Sequence, residues 1–163
     1  MSADPSLTRQ EALPLRCALI AFALGTVLIQ FLVVPRLAAG YAQAYPEAAH
    51  LASGYVTALV IALACFEAGL LAAWWFVSTL VTDAVDAGAV IGRSKRWVNV
   101  MAVSVMSTAV ILAGVCANAG FVENIGGPGM LFGLLVFLAL IPAAFALRSG
   151  ILGWLENNAV HST

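Results

Sequence analysis

Four long apolar runs, joined by short polar segments, set the pattern of this sequence. A helix needs about 20 mainly apolar residues to cross the hydrocarbon core of a bilayer, and each run reaches that length or comes close to it. Short connections favour antiparallel neighbours. The pattern therefore predicts an all-α integral membrane fold, an antiparallel bundle of four transmembrane helices with spans over 17–37, 53–79, 97–121 and 130–152.

The polar segments divide the rest of the chain. We expect residues 1–16 and 154–163 to be polar tails that flank a single transmembrane domain over 17–153. The connection after the first span is alanine-rich, which favours a partly helical segment at the interface. A secretory signal is the alternative for the first run, because Ala42-Gln43-Ala44 resembles a cleavage site. The run is longer than the roughly 7–15 apolar residues of such a signal, so we predict an uncleaved helix.

Composition agrees with a membrane protein and argues against several other classes. Charged residues make up 9% of the chain, against about 25% in a soluble domain. This low share makes the lipid bilayer the expected surrounding. The net charge of −1 gives no reason to expect nucleic acid as a partner. No phosphate loop, nucleophile–base pair or carboxylate dyad occurs in an aqueous segment, so we expect neither an enzyme nor a cofactor. The cysteines form no CxxC, so neither a disulfide nor a metal site is predicted.

Charges and aromatic residues predict the orientation. With both termini in the cytoplasm, six basic residues lie inside and Arg36 alone lies outside, which is the positive-inside pattern. Tryptophans then fall at the inner boundary and tyrosines at the outer one, where interfacial rings belong. The six inner basic residues are Arg9, Arg16, Arg93, Lys95, Arg96 and Arg148.

Glu67 is the one acidic residue at mid-depth in any span. An ionisable group there is costly and calls for a partner, a proton or a function. We expect hydroxyl groups of the third span at similar depth to be its partners, namely Ser104, Ser107 and Thr108. The site is then either a proton or cation relay, a contact to a headgroup or quinone-like ligand, or a neutral carboxyl that joins helices or faces another subunit. The last, structural interpretation is preferred, because relays usually need several ionisable groups.

Other polar and small residues have simpler interpretations. Gly129 and Gly133 form a GxxxG, and Gly69 belongs to a looser small-residue pair, so all three are expected at helix contacts. Arg93, Lys95 and Arg96 could contact anionic headgroups or an acidic partner, although topology alone accounts for them. Polar residues towards the outer ends are expected to be hydrated or to cap helices: Gln30, Asn118 and Glu123.

The approach to the third span resembles a bacterial family, the domain of unknown function 2975 family. The resemblance rests on Leu80-Val81, Val85, Gly88 and Ile91, followed by the basic run Arg93-Ser94-Lys95-Arg96 and Trp97. It implies a small four-span protein of the bacterial cytoplasmic (inner) membrane, often encoded beside a helix-turn-helix regulator. It transfers no functional residue to this chain.

Three functions are consistent with the sequence. The first is a non-catalytic accessory or regulatory subunit that packs against a membrane-protein partner or against copies of itself. The second is a small transporter or proton-conducting subunit centred on Glu67. The third is a membrane sensor that holds a cytoplasmic regulator through the 83–96 loop.

Overall fold

The computed structural model describes residues 9–44, 46, 49–82, 87–123 and 127–160. Two π-helical turns, Ile29–Val33 and Asn118–Val122, lie directly after the first and fourth of its α-helices. The first turn joins α1 to α2 without a break. The α-helices are α1 (Arg9–Leu28), α2 (Val34–Ala44), α3 (Ala49–Thr82), α4 (Ala87–Ala117) and α5 (Gly127–Val160).

Four of the helical segments are long and apolar enough to cross a membrane. In hydrocarbon, every backbone N–H and C=O group must be paired inside the chain, and a helix pairs them within the segment. The prediction of an all-helical chain with four such helices is confirmed. The segments are Leu13–Gly40, Ala49–Thr79, Gly92–Val122 and Gly127–Leu155.

The helices form a row in chain order. Among the described residues, α1 and α2 contact α3, α3 also contacts α4, and α5 contacts only α4 and the π-helical turn after it. The expected four-helix bundle is therefore open in this structure. Exposed apolar faces are compatible with a membrane protein, because lipid tails are as apolar as leucine and do not drive helices together.

The contact between α3 and α4 depends on small residues. A Cβ built on Gly69 would lie 3.2 Å from the Ser104 Cβ, so the two backbones approach closely at this point. Thr108 Oγ1 is 3.1 Å from the carbonyl oxygen of Ala62 and 2.9 Å from that of Ser104, and donates to them. Small side chains and a hydroxyl bridge are typical of helix contacts in membranes.

Aromatic and polar contacts mark the two ends of the helices, which we call the Trp end and the Tyr end. At the Trp end, Trp75 stacks on Trp97 with ring centres 5.8 Å apart. At the Tyr end, the Tyr55 hydroxyl donates to Asn118 Oδ1 over 2.8 Å. The first pair joins the end of α3 to the start of α4, and the second joins the start of α3 to the π-helical turn after α4. Arg148 of α5 belongs to the Trp end, because its Nε donates to Asn99 Oδ1 of α4 over 2.6 Å.

The connections differ from the prediction in two places. The first helix continues through Pro35 to Ala44, after the π-helical turn has interrupted the regular hydrogen-bond pattern just before the proline. Helix α4 begins at Ala87, so residues 87–96 of the predicted 83–96 loop are helical. The turn before α5 lies partly outside the described residues, and Gly127, with φ at 52°, takes the left-handed conformation that glycine tolerates best.

Candidate functional site

The carboxyl of Glu67 is on the face of α3 that meets α1. At the Trp end, the Arg16 guanidinium lies 5.5 Å from the centre of the Trp74 ring, and its Nη2 donates to Ser78 Oγ over 3.4 Å. Towards the Tyr end, Gln30 Nε2 donates to the Val60 carbonyl oxygen over 3.3 Å. Val60 and Trp74 are each seven residues from Glu67, about two helical turns, so all three share one side of α3.

The expected contact between Glu67 and the hydroxyls of α4 is not present. Ala62 and Gly69 define the α4-facing side of α3, and Glu67 is about 140° round the helix from Ala62. The Thr108 hydroxyl donates to backbone carbonyls, and Ser104 lies against Gly69. The prediction used depth alone, and the period of the helix puts the carboxyl on the opposite side.

Ser107 is also turned away from the carboxyl. It is half-buried and lines a shallow groove on the surface of α4 together with Val103, Met106, Val110 and Ile111. Because Glu67 faces the other neighbour of α3, the structure brings none of the three predicted hydroxyls to it. The site must therefore be built from α1.

The register of α1 against α3 identifies the residues opposite Glu67. Counting seven residues from Gln30 along α1 and seven from Val60 along α3, both towards the Trp end, places Ala23 opposite Glu67. Thr26 is one turn from Ala23, and its hydroxyl donates to the Phe22 and Ala23 carbonyls, with both distances 2.9 Å. The small alanine leaves room for a carboxyl at this contact.

Hydrogen-bonding groups without partners concentrate along this contact. Among the described residues, four buried side-chain atoms have no hydrogen-bond partner: Arg16 Nε, Gln30 Oε1, Glu67 Oε1 and Ser94 Oγ. Leaving such an atom unpaired costs about 1–3 kcal/mol. Three of the four lie between α1 and α3, and we call Arg16, Thr26, Gln30 and Glu67 together the polar seam.

The small residues predicted at helix contacts fall into two groups. Gly69 faces Ser104, and a Cβ on Gly133 would lie 3.2 Å from Cys116 Sγ, so both glycines lie at contacts within the chain. Gly129 is exposed, and a Cβ there would meet nothing within 4 Å. The GxxxG pair is therefore not a packing motif of this chain on its own.

The basic run lies in a helix and not in a loop. Arg93 and Arg96 are exposed and Lys95 is half-buried, all within the first turns of α4. Residues 83–86, which include Asp83 and Asp86 of the predicted sensor loop, lie outside the described residues. In the part of the chain that is described, no group of three or more His, Cys, Asp or Glu side chains could hold a metal ion.

Gln30 and Arg16 are the site residues that sequence reasoning missed. Gln30 was expected to be hydrated or to cap a helix, yet it is 8% exposed and bonded to α3. A usable signal is present in the first span, where polar and small residues recur at intervals of seven, three and four: Arg16, Ala23, Thr26 and Gln30. That spacing defines one face of a helix.

No protein-family model matches the chain, and searches of the curated proteins and of the solved structures found no match. The resemblance to the domain of unknown function 2975 family stays a prediction. Its residue Val85 lies outside the described residues.

Proposed function

We propose that this chain is a non-catalytic subunit of a bacterial cytoplasmic membrane, accessory or regulatory, that packs against a membrane protein or a second copy of itself. The open row carries this proposal. Among the described residues α5 has α4 as its one helical neighbour besides the π-helical turn, and none of its most apolar 18-residue window is buried. A helix with a free face can accept another helix without any rearrangement of the row.

An antiparallel arrangement with both termini in the cytoplasm accompanies this proposal. The Trp end holds the side chains of Arg16 and Arg148, and α4 begins there with its basic run. Arg36 lies on α2, past the turn that carries Gln30. Basic residues gathered at one end support a cytoplasmic position for that end.

The free face of α5 has the composition of a helix-association surface. Ala139, Ala143, Ala146 and Gly150 are exposed and recur at intervals of three or four residues. Such a small-residue stripe lets a second helix backbone approach closely, and association then depends on van der Waals packing. The α4-facing side of α5, by contrast, is marked by Gly133 and the buried Ala144.

Adding bulk to this stripe is expected to weaken association. Ala143→Leu and Ala146→Leu should each raise the dissociation constant of the complex about tenfold, equal to ~1.4 kcal/mol, because the backbones can no longer approach. Chemical cross-linking in native membranes, followed by native electrophoresis and mass spectrometry, measures the complex and identifies the other chain.

Leu138→Phe is the matched control, because it also adds bulk to an exposed position of α5 but lies off the stripe. Recovery of the wild-type chain as a monomer, or an equal loss in Leu138→Phe, would count against the proposal.

A small transporter or proton-conducting subunit is the second candidate, and one observation favours it. One oxygen of the Glu67 carboxyl is buried and has no hydrogen-bond partner. That oxygen therefore makes no hydrogen bond to another helix. The contact between α3 and α4 is made by other residues, chiefly Gly69, Ser104 and Thr108. An intramembrane carboxyl that the fold does not use for packing is a functional candidate.

Proton flux is expected to depend on this carboxyl. In liposomes with an imposed pH gradient and an internal pH-sensitive dye, Glu67→Gln should reduce flux to the level of empty liposomes, because an amide cannot release a proton. Glu123→Gln is the control, since Glu123 lies just past the π-helical turn at the Tyr end. Unchanged flux in Glu67→Gln would refute conduction through this residue.

A further inference from the structure

Gln30 is a buried amide whose NH₂ group has a hydrogen-bond partner and whose oxygen has none. It lies in the π-helical turn Ile29–Val33 and is 8% exposed. A carbonyl oxygen can only accept, so the side of the amide next to the Val60 oxygen must be the NH₂ group. Gln30 Oε1 is therefore directed away from that carbonyl, and it has no donor.

Glu67 Oε1 is a second unpaired oxygen of the polar seam, on the side of α3 that Val60 shares. Val60 and Glu67 are separated by about 10.5 Å of helical rise. The Val60 carbonyl points towards the C-terminus of α3, and a helical side chain leans towards the N-terminus, so the amide and the carboxyl are brought closer than their backbones. Two acceptor oxygens thus share one contact, and neither has a donor.

Few charges compete at this position. The polar seam itself contains Arg16, which is seven residues from Ala23 along α1, about 10 Å of rise towards the Trp end. The remaining titratable or charged side chains on α3 and on the described parts of the helices packed against it lie off the seam or at helix ends: Cys17, Arg36, His50, Tyr55, Cys65, Arg93, Lys95, Arg96 and Cys116.

We propose that Gln30 and Glu67 form a proton-binding site between α1 and α3. A proton from water converts the Glu67 carboxylate to a carboxyl, whose O–H then donates to Gln30 Oε1 and supplies the donor that both oxygens lack. Release of the proton to water breaks this bond and leaves both oxygens without a donor again. The site binds a proton whether or not the protein conducts one, so the inference does not depend on either proposed function.

Carbodiimide labelling tests the site, because dicyclohexylcarbodiimide enters bilayers and reacts with protonated carboxyls. The full chain in liposomes is labelled over a series of pH values, and peptide mass spectrometry quantifies modified Glu67. Labelling of the wild type should rise as the pH falls. Gln30→Leu removes the acceptor of the O–H group, and the pH of half-labelling should fall by about half to one unit, as expected for one hydrogen bond.

Two further variants and one ion test make the result decisive. Gln30→Asn withdraws the amide by one methylene and should give a smaller shift, which preserves the test if Gln30→Leu does not fold. Gln43→Leu changes an exposed glutamine on α2 and should give no shift. Labelling that is independent of pH or absent at every pH, an unchanged midpoint in both Gln30 variants, or protection of Glu67 by sodium or lithium at constant pH would each overturn the proposal, the last by showing a metal cation in the site.

Discussion

Replacing Gly69 with leucine is expected to separate α3 from α4 and to reduce the free energy of unfolding by about 1–3 kcal/mol, the usual range for overpacking. A Cβ at Gly69 would lie 3.2 Å from the Ser104 Cβ and 4.0 Å from the Met101 carbonyl oxygen. Neither atom is the end of a flexible side chain, so the helices must move. Because Thr108 bridges the same contact, its bond to Ala62 should be lost as well.

Unfolding in detergent micelles, followed through tryptophan fluorescence, measures this change because Trp75 and Trp97 stack across the same pair of helices. Gly54→Leu on α3 and Gly114→Leu on α4 are matched controls, since a Cβ at either glycine meets nothing within 4 Å. The interpretation fails if these variants are destabilised as much as Gly69→Leu.

The spans could be predicted from sequence because length and hydropathy do not depend on which helices are neighbours. Each apolar run must form its own backbone hydrogen bonds in hydrocarbon, whatever surrounds it. The predicted first span, 17–37, already passes Pro35, but its unbroken continuation to Ala44 was missed, because a π-helical turn is not encoded by hydropathy. The start of α4 at Ala87 was missed because Gly88 and Gly92 are tolerated inside a helix when the flanking residues favour one.

Helix contacts were predicted less well than spans. Small residues were expected between helices, and Gly69 and Gly133 do lie at contacts, whereas Gly129 is open. The alanine-rich composition offers many equivalent small-residue pairs, so composition cannot distinguish a contact within the chain from a free surface. For the same reason the free face of α5 could not be predicted, since a free helix face and a packed one contain similar residues.

The candidate site shows most clearly that the depth of a residue along its span does not tell which side of the helix it is on. Depth was the reason to expect Ser104, Ser107 and Thr108 beside Glu67, yet the period of α3 directs the carboxyl to the other side. Finding that side requires knowing that α1 covers the face of Val60 and Trp74. Once α1 is in place, its own polar residues, Gln30 and Arg16, become the relevant ones.

Cysteine cross-linking is expected to join Glu67 to α1 and not to α4. In a chain whose native Cys17, Cys65 and Cys116 are replaced by serine or alanine, Ala23→Cys with Glu67→Cys should be joined nearly completely by a short bifunctional thiol reagent. The register from Gln30–Val60 and from Arg16–Trp74 places these positions opposite each other. Protease cleavage between α1 and α3, followed by electrophoresis, shows whether the two fragments remain attached.

The matched pairs Glu67→Cys with Ser104→Cys and Glu67→Cys with Ser107→Cys should give only background cross-linking, although depth makes them equally plausible. Ser104 of α4 lies against Gly69, on the side of α3 opposite to Glu67, and Ser107 lines the surface groove. A strong product with either serine position and none with Ala23 would return Glu67 to the α3–α4 contact, where a neutral carboxyl has a structural role. The expected pattern instead requires that any partner, water or proton reaching Glu67 does so beside α1.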